Sequence, residues 1–301
     1  MDKITEPTII IIVGPTGVGK TALAIELAKH FNTEIISADS RQCYKEMNIG
    51  VARPTEKELS EVKHHFIASH SVAENLNAGN FEKYALSTVT EIFKKNNIAI
   101  MVGGTGLYIK AFCEGIDPIP IVPDEVRLKV TEGYAQKGLI WLQKELEQKD
   151  PDFWEVAEKQ NPQRLMRALE VLYATGQSIM IYRTAKKVVR PFRIIKIGLE
   201  MPKEALHNRL NQRVDQMILD GLVDEVRSLV PFKSQNALLT VGYRELFDCM
   251  DRNSSLEEAI EKIKINTRQY AKRQMTWFVK DKEIIWFESS PDSIQLVIDQ
   301  L

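Results

Sequence analysis

The residues best suited to chemistry form a glycine-rich segment that runs from Gly14 to Thr21 and ends in Lys-Thr. An unbroken apolar run, Ile9 to Val13, precedes it, and a helical pattern from Ala22 to Ala28 follows it. This order of strand, turn and helix is the context in which G-x-x-x-x-G-K-[ST] marks a P-loop. The sequence therefore predicts a polyphosphate site, but it does not say which polyphosphate binds.

Each part of this loop has an expected role. Glycines let backbone N–H groups surround phosphate oxygens, and the N-terminus of the following helix adds positive potential. Lys20 can neutralise a second phosphate, and the Thr21 hydroxyl is suited to bind Mg²⁺, the expected cofactor. The residues predicted to surround the phosphate groups are Gly14, Pro15, Thr16, Gly17, Val18, Gly19, Lys20 and Thr21.

Asp39 is the second candidate, because it follows a short strand expected at 33–38. Ligands of open α/β sheets bind at the carboxyl ends of strands, so we expect Asp39 to lie near the P-loop. Its carboxylate could cap a turn or hold Mg²⁺ through a water or through Thr21. It could equally serve as a general base aimed at an acceptor. Spacing alone leaves both interpretations open.

A third strand, Ile98 to Val102, ends at Gly103-Gly104-Thr105 instead of at an acid. NTPases that hydrolyse or switch usually carry a Mg²⁺-linked acid at such a position. The guanine-reading motif Asn-Lys-x-Asp is also missing from the sequence. This pattern argues against a GTPase or a motor ATPase. The glycines would let the backbone or Thr105 approach a ligand closely.

Basic residues are concentrated in two segments, although the formal net charge is −1. Residues 181–213 carry nine basic and two acidic side chains, a net +7, and residues 262–282 carry seven and one, a net +6. Such segments are candidate surfaces for a polyanion, and together with a P-loop they favour nucleic acid. Within the first, Arg209 and Arg213 lie one helical turn apart. They resemble the arginines that close over phosphates in P-loop kinases.

Composition is that of an ordinary globular protein, with 301 residues, 44% hydrophobic and 27% charged. The N-terminal residues 1–7 lack the pattern of a signal peptide, and no run is long enough for a membrane span. Three scattered cysteines indicate neither a disulfide framework nor a zinc site, so we expect a cytoplasmic protein. The paired His64 and His65 are expected on a strand, one buried and one exposed.

The chain order predicts an α/β fold in which a helical domain interrupts a parallel sheet. Three prolines between 118 and 123 mark a linker, and helices are expected at 124–137, 139–148, 152–159 and 163–175. Strand composition returns at 191–199, so the helical block is an insertion. We therefore predict a P-loop NTPase-like core at 1–120 and 188–301, with an all-helical insertion at 121–187. A long helix, Leu256 to Phe278, has core positions predicted at Leu256, Ile260, Ile263, Thr267, Tyr270, Gln274 and Phe278.

The whole set of motifs resembles the tRNA dimethylallyltransferase (tRNA isopentenyltransferase) family. The segments that carry the resemblance are the P-loop Gly14–Thr21, Ile36–Tyr44, Val102–Tyr108, Pro162–Glu170, Val241–Arg244 and Arg268–Phe278. They occur in the family's order and cover almost the whole chain. The zinc-finger extension of eukaryotic members is missing from the sequence, so the resemblance is to the bacterial type.

The resemblance implies transfer of a dimethylallyl group from its diphosphate to N6 of adenosine 37, beside the tRNA anticodon. It implies that the P-loop holds the diphosphate with Mg²⁺ at Thr21, and that Arg209 or Arg213 neutralises the departing pyrophosphate. Asp39 would accept the N6 proton, with Thr105 and Arg213 as further catalytic residues. The residues implied to contact tRNA are Asp39, Ser40, Arg41, Gln42, Thr105, Arg127, Gln163, Arg164, Leu165, Met166, Arg167, Arg244, Arg268, Lys272 and Arg273. The insertion would grip the anticodon stem, and no obligate protein partner is inferred.

Two other function classes remain open from the sequence. A P-loop metabolite or nucleotide kinase would share the loop, the arginine helix and the sheet. A nucleotide-regulated RNA-binding protein would share the loop and the basic segments without any chemistry. Phosphoryl transfer in the absence of tRNA would indicate the first, and RNA binding without a covalent product would indicate the second.

Overall fold

The computed structural model describes residues 5–184 and 186–301. Within them, the strands are β1 Thr8–Val13, β2 Ile35–Ser37, β3 His64–His65, β4 Ile98–Val102, β5 Arg193–Glu200 and β6 Ile284–Glu288. They form one sheet in the order β3-β2-β4-β1-β5-β6, and every neighbouring pair is parallel. The carboxyl ends of β1, β2 and β4 therefore lie side by side. The predicted α/β fold with a P-loop-like parallel sheet is confirmed.

Helices follow most of the strands. Their bounds are α1 Lys20–His30, α2 Glu56–Glu61, α3 Ala78–Phe93, α4 Gly106–Glu114, α5 Asp124–Lys149, α6 Pro151–Val156, α7 Pro162–Thr175, α8 Lys203–Leu219, α9 Leu222–Ser228, α10 Tyr243–Met250, α11 Leu256–Phe278 and α12 Ser293–Gln300. Short 3₁₀ helices occupy Ile179–Tyr182, Val230–Phe232 and Asn236–Leu238. None of the helices in the described ranges combines the length and apolar composition that a membrane span needs.

Strand β1 lies at the centre of the hydrophobic core. Its side chains alternate between the two faces of the sheet, as strand geometry requires. Ile9 and Ile11 pack into one apolar cluster, and Ile10 and Ile12 pack into the other. All four are fully buried. Burial on both faces explains why this strand is an unbroken apolar run rather than an alternating pattern.

The chain divides into two compact units. One unit comprises the residues up to Glu114 together with Val189–Leu301, and the other is Gly115–Val188. The second unit begins a few residues before the predicted boundary at 121. Asp117 accepts hydrogen bonds from the backbone N–H of Thr184 at 3.1 Å and from its hydroxyl at 2.7 Å, which ties both ends of the insertion together. Ala185 lies outside the described residues. So do residues 1–4, which belong to the N-terminal segment that lacks the pattern of a signal peptide.

The Gly115–Val188 unit is built from helices around its own core. The helices expected at 124–137 and 139–148 form one element, α5, that bends at Gly138, where φ is 70°. Helix α7 begins at Pro162 after an Asn161 cap and ends at Gly176 in the left-handed region, as the sequence indicates. Its apolar face packs against α5 through side chains that include Leu142, Leu146, Leu165 and Leu169.

Two details of the sequence interpretation are wrong. His64 and His65 are both half-buried, because β3 is a two-residue strand at the edge of the sheet. His65 Nε2 lies 2.5 Å from Glu34 Oε2, and His64 Nδ1 lies 2.8 Å from the Val62 carbonyl oxygen. In α11, Leu256 and Tyr270 are exposed, and the small side chains Ala259 and Ala271 are buried in their place. The predicted core positions Ile263, Gln274 and Phe278 are confirmed.

The close approach of Gly103 to the backbone of β2 generates a stability prediction. A Cβ at Gly103 would lie 2.2 Å from the Ala38 carbonyl oxygen, and neither backbone can move aside like a flexible side chain. We expect Gly103→Ala to lower the free energy of unfolding by about 3 kcal/mol. Urea denaturation measures this change.

Gly176→Ala is the matched control. Gly176 has a φ of 71° with open space around its Cβ position, so alanine there carries only conformational strain. We expect this variant to lose about 1 kcal/mol. Equal losses in the two variants would contradict the crowding at Gly103.

Candidate active site

One cavity of about 590 Å³ lies at the carboxyl ends of the strands in the sheet unit. Predicted site residues that line it come from the P-loop, from the turn after β2 and from α8. They are Thr16, Gly17, Gly19, Lys20, Thr21, Asp39, Gln42, Arg209 and Arg213. Three separated parts of the sequence thus meet at one site. Gly14, Pro15, Val18, Ser40 and Thr105 do not line this cavity.

The P-loop backbone needs its glycines for two reasons. Gly14, Gly17 and Gly19 have φ values of 140°, 80° and 109°, in the region that L side chains rarely adopt. In addition, a Cβ on Gly14 would lie 2.4 Å from the Leu199 carbonyl oxygen of β5. Val18 is fully buried in the core. Gly14 and Val18 therefore shape and anchor the loop, while Thr16, Gly17, Gly19, Lys20 and Thr21 line the cavity.

Lys20 carries the positive charge of the loop. Its Nζ donates a hydrogen bond to the Pro15 carbonyl oxygen at 2.7 Å. Burial lowers the pKa of Lys20 to about 7; the negative charge of Asp39 opposes this shift, and the positive charge of Arg213 adds to it. Among the described residues, no carboxylate forms an ion pair with Lys20. An anion bound in the cavity would favour the charged ammonium.

Helix α8 places two guanidinium groups toward the same cavity. The Arg213 side chain donates from Nη1 to the Thr16 hydroxyl at 3.2 Å, so it lies against the P-loop. Burial lowers the pKa of Arg213, and the nearby Asp39 charge acts in the opposite direction. Arg209 is more exposed and lies one turn earlier on the helix. Along the described chain neither arginine forms an ion pair, so both can contact an anion.

Asp39 uses its two carboxylate oxygens differently. Oδ1 accepts hydrogen bonds from the backbone N–H groups of Arg41 at 2.8 Å and Gln42 at 3.2 Å. Oδ2 has no hydrogen-bond partner within residues 5–184 and 186–301. One oxygen therefore builds the turn, and the other can accept a proton or bind a metal. This geometry accommodates both interpretations that the sequence left open.

Thr105 supports the Asp39 turn from behind. Its hydroxyl oxygen accepts a hydrogen bond from the Ser40 backbone N–H at 3.0 Å, and its own N–H donates to the Ala38 carbonyl at 3.3 Å. Its side chain therefore holds the turn that carries Asp39, rather than lining the cavity. Arg41 points elsewhere, because its guanidinium donates to the Asn236 carbonyl at 2.9 Å. It lines a smaller adjoining cavity of about 100 Å³.

The structure adds site residues that the sequence interpretation missed. Gln274 of α11 accepts a hydrogen bond from the Thr16 backbone N–H at 2.8 Å and donates one to the Gly104 carbonyl at 3.0 Å. It thereby links the P-loop to the turn after β4. Arg53 and Tyr270 also line the cavity. The helical pattern marked Gln274 only as a core position, and it falls within a segment that carries the family resemblance.

The residues predicted to contact RNA differ in availability. In the helical unit, Arg127, Arg164 and Arg167 pair with Asp124, Glu158 and Glu170 respectively. In the same unit, Gln163 is exposed and Met166 is partly buried. Leu165 is fully buried in the core of that unit, so its side chain packs there in the free protein. In the sheet unit, Arg244, Lys272 and Arg273 are exposed, whereas Arg268 donates to Asn211 Oδ1 at 2.5 Å.

The two basic segments are not continuous basic surfaces. In the first, Arg190 is bound to Glu82 at 2.6 Å, and Lys196 lies buried against Asp281 and Glu283, each at 2.7 Å. In the second, Lys264 is paired with Asp215 and Glu261. Carboxylates from distant parts of the chain therefore neutralise several of the charges that the sequence pattern counted.

The cavity fits a Mg²⁺ ion shared with a phosphate ligand. Thr21 lines the cavity, and its hydroxyl makes no hydrogen bond in the described part of the chain. Asp39 supplies a carboxylate to the same space. The described residues contain no group of three or more His, Cys, Asp or Glu that could hold a metal alone. One or two protein oxygens plus substrate phosphates is a common arrangement for Mg²⁺.

Comparison with known proteins shows the family of this chain. The family model described as IPP transferase matches residues 42–281. The chain belongs to the IPP transferase family. A tRNA dimethylallyltransferase from Christiangramia forsetii is 50% identical over 285 residues, covering 95% of this chain and 94% of the relative. Another from Flavobacterium psychrophilum is 46% identical over 295 residues, covering 96% of each chain.

Solved structures of the same family share the fold. The full-length tRNA isopentenylpyrophosphate transferase from Bacillus halodurans superposes with a TM-score of 0.73 and 34% identity, over 98% of this chain and 95% of that one. A eukaryotic dimethylallyltransferase acting on tRNA gives a TM-score of 0.78 at 28% identity, over 96% of this chain and 75% of that one. The architecture described above is thus that of the IPP transferase family.

The unpaired Lys20 ammonium generates a binding prediction. We expect Lys20→Ala to weaken binding of inorganic pyrophosphate at least tenfold, because it removes a charge-assisted hydrogen bond worth about 1.5–3 kcal/mol. Isothermal titration calorimetry measures the dissociation constant.

Lys94→Ala is the control for this prediction, since Lys94 is an exposed lysine paired with Glu91 on α3. It should bind pyrophosphate like the unaltered protein. Tight pyrophosphate binding by Lys20→Ala would show that the P-loop is not the anion site.

Proposed function

We propose that this protein is a tRNA dimethylallyltransferase. It transfers the dimethylallyl group of dimethylallyl diphosphate to N6 of adenosine 37 in tRNA and releases pyrophosphate. The names of its relatives at 42–50% identity support this activity. Its place of action would be the cytoplasm, where tRNA is found, and it would need no obligate protein partner.

One observation carries the proposal: phosphate-binding groups and a free carboxylate oxygen share a single cavity. Lys20, Arg213 and the P-loop amides suit a diphosphate, and Asp39 faces the same space. The corresponding end of β4 carries Gly103 and Gly104, where a hydrolytic NTPase would place an acid. A diphosphate that is a leaving group requires cations and no activated water. This combination argues against a hydrolytic NTPase, and the names of the relatives favour alkyl transfer over the kinase interpretation.

In the proposed reaction, the carbon–oxygen bond to the diphosphate breaks and a carbon–nitrogen bond to N6 forms. The pyrophosphate leaves with the electron pair of the broken bond, and Lys20, Arg209 and Arg213 stabilise its charge. Asp39 accepts the proton that N6 loses, through its unpartnered Oδ2. Thr105 and Gln274 position this machinery through hydrogen bonds to the Asp39 turn and to the P-loop.

Mg²⁺ is part of the proposal as the cofactor of the diphosphate. Thr21 would hold it, with Asp39 as a further candidate ligand. When bound, it would neutralise phosphate charge and so favour departure of pyrophosphate.

The proposed RNA contacts are polar or basic side chains that the structure leaves at least partly exposed. The target adenine must leave the anticodon stack to reach a site enclosed by protein, as in other enzymes that modify bases. Gln42 lines the cavity and could contact that base directly. In the helical unit, Arg127, Gln163, Arg164 and Arg167 are proposed to grip the stem by its shape and phosphates. Arg244, Lys272 and Arg273 are proposed as phosphate contacts of the sheet unit.

Incubation of hypomodified tRNA with the protein, Mg²⁺ and dimethylallyl diphosphate tests the proposed activity. Mass spectrometry of the digested tRNA should find one added dimethylallyl group on adenosine 37. Phosphoryl transfer from ATP without any prenylated nucleoside would overturn the proposal in favour of a kinase.

Asp39→Asn separates the two roles open to Asp39. Asparagine keeps the shape and still accepts the turn hydrogen bonds through Oδ1, but it cannot take up a proton. We expect the single-turnover rate to fall roughly a hundredfold or more, the usual loss for a positioned base. Binding of tRNA and donor should survive. Titration with Mg²⁺ decides between the roles, since recovery of the rate at high Mg²⁺ would instead identify Asp39 as a metal anchor.

The ion pairs predict which lysines contribute to RNA binding. Lys272 is exposed, and no carboxylate pairs with it in the described ranges, whereas Lys264 is neutralised by two carboxylates. In a plot of log affinity against log salt, Lys272→Ala should reduce the slope by about one, and Lys264→Ala should leave it nearly unchanged. Filter binding of tRNA across a salt series measures both slopes. A flat plot for the unaltered protein would contradict an electrostatic RNA surface.

A further inference from the structure

Glu225 of α9 forms an unusual set of hydrogen bonds with a loop far away in sequence. Its Oε2 accepts from the backbone N–H groups of Asn48 at 3.1 Å and Ile49 at 2.7 Å. Its Oε1 accepts from the N–H of Gly50 at 3.1 Å and from the Tyr243 hydroxyl at 2.6 Å. Three successive amides thus converge on one carboxylate, the arrangement that anion-binding backbone segments use.

Tyr243 holds the carboxylate and the loop together. Its side chain is fully buried, and its ring lies so close to Gly50 that a Cβ there would be 2.6–2.7 Å from ring atoms. Burial and then the charge of Glu225 raise the pKa of Tyr243, so its hydroxyl stays protonated and donates. Gly50 is therefore fixed both by packing and by a hydrogen bond.

The residues that follow Gly50 form a wall of the active-site cavity. Val51, Ala52, Arg53 and Pro54 all line it. Ala52 has a φ of 48°, a left-handed conformation that costs free energy for a residue with a Cβ. Arg53 donates to the carbonyl oxygens of Tyr44 and Lys45 at 3.0 and 2.9 Å, and to that of Met47. The wall thus has a defined but strained backbone conformation, which contacts from residues outside 51–54 must maintain.

Gln42 connects this wall to Asp39. Its side-chain amide donates to the carbonyl oxygens of Val51 at 3.2 Å and Ala52 at 3.0 Å. Its backbone N–H donates to Asp39 Oδ1. A continuous path of hydrogen bonds and covalent bonds therefore leads from Glu225 to the carboxylate of Asp39.

We propose that Glu225 is a positioning residue, which fixes the cavity wall at 51–54 and, through Gln42, the turn that carries Asp39. It touches neither the P-loop nor Asp39 itself, so its effect is indirect. The expected effect of Glu225 on the rate of dimethylallyl transfer rests on the proposed function. Its effect on the loop does not depend on which substrate binds.

Two variants separate the carboxylate from the tyrosine hydroxyl. Glu225→Gln replaces one acceptor oxygen with an N–H donor that faces the loop amides, so at least one amide loses its partner. Tyr243→Phe keeps the ring against Gly50 and leaves all three amide hydrogen bonds in place. Val226→Ala is the stability control, because Val226 is the next residue of α9, is fully buried and makes no contact with the loop through hydrogen bonds.

Hydrogen exchange monitors the loop directly. In Glu225→Gln, at least one amide among residues 48–50 should exchange tenfold faster or more, while those of α9 and of β1 keep their rates. In Tyr243→Phe and Val226→Ala the amides of 48–50 should stay protected. Unchanged exchange at 48–50 in Glu225→Gln would overturn the proposal.

The steady-state rate monitors the consequence for the site. We expect kcat of dimethylallyl transfer to fall about tenfold or more in Glu225→Gln, a loss typical of misplaced supporting groups. Tyr243→Phe should lose less than threefold, and Val226→Ala should match the unaltered protein below its melting temperature. Faster exchange with an unchanged kcat would overturn the link to Asp39.

A failure of the proposed function would look different. If the unaltered protein transfers no dimethylallyl group, the activity assignment fails, and pyrophosphate binding by calorimetry takes the place of kcat. Glu225→Gln should then bind pyrophosphate several-fold more weakly than Val226→Ala, because Arg53 shares the cavity with the P-loop. Equal binding by the two variants would overturn the inference.

Discussion

The site depends on the close contact between the end of β2 and the end of β4. The Ala38 N–H donates to the Val102 carbonyl at 2.7 Å, and Gly103 leaves room for the Ala38 carbonyl oxygen where any side chain would collide with it. Because β4 also pairs with β1, this contact fixes the distance between Asp39 and the P-loop. Thr105, two residues further along the chain, then accepts a hydrogen bond from the Ser40 amide and completes the turn. Glycine at this strand end is thus a requirement of the geometry.

The cations of the cavity follow a second constraint. Elsewhere in the described chain, buried basic groups such as Arg190 and Lys196 have carboxylate partners, which offset the free energy of removing a charge from water. Lys20 and Arg213 lack such partners, and burial lowers the pKa of both. A diphosphate would supply the missing negative charge. Burial without a partner destabilises the two positive charges in the free protein. Because a bound anion would relieve this unfavourable free energy, it would bind tightly and selectively.

Local patterns allowed much of this architecture to be predicted. The P-loop, Asp39 and the double glycine after β4 each follow an apolar strand. A short stretch of sequence is therefore enough to place each of them at the carboxyl end of a strand. Gln274 and Glu225 could not be found in this way. Gln274 and Glu225 bind backbone groups 170 or more residues away, and nothing in their immediate neighbours signals those contacts. The prediction of two continuous basic surfaces failed for the same reason, since the carboxylates that neutralise Arg190 and Lys196 come from distant elements.

The supporting residues share a feature that bears on the proposed chemistry. Thr105, Gln274 and Glu225 each bind backbone atoms of a loop at the cavity: the Asp39 turn, the P-loop and the 48–50 loop. Alkyl transfer between two bound substrates needs both held in line, because proximity and orientation account for much of the rate gain. Loops that were free to move would lose that alignment. A site whose three loops are each fixed by a side chain from another element suits a reaction in which positioning, rather than activation of water, lowers the barrier.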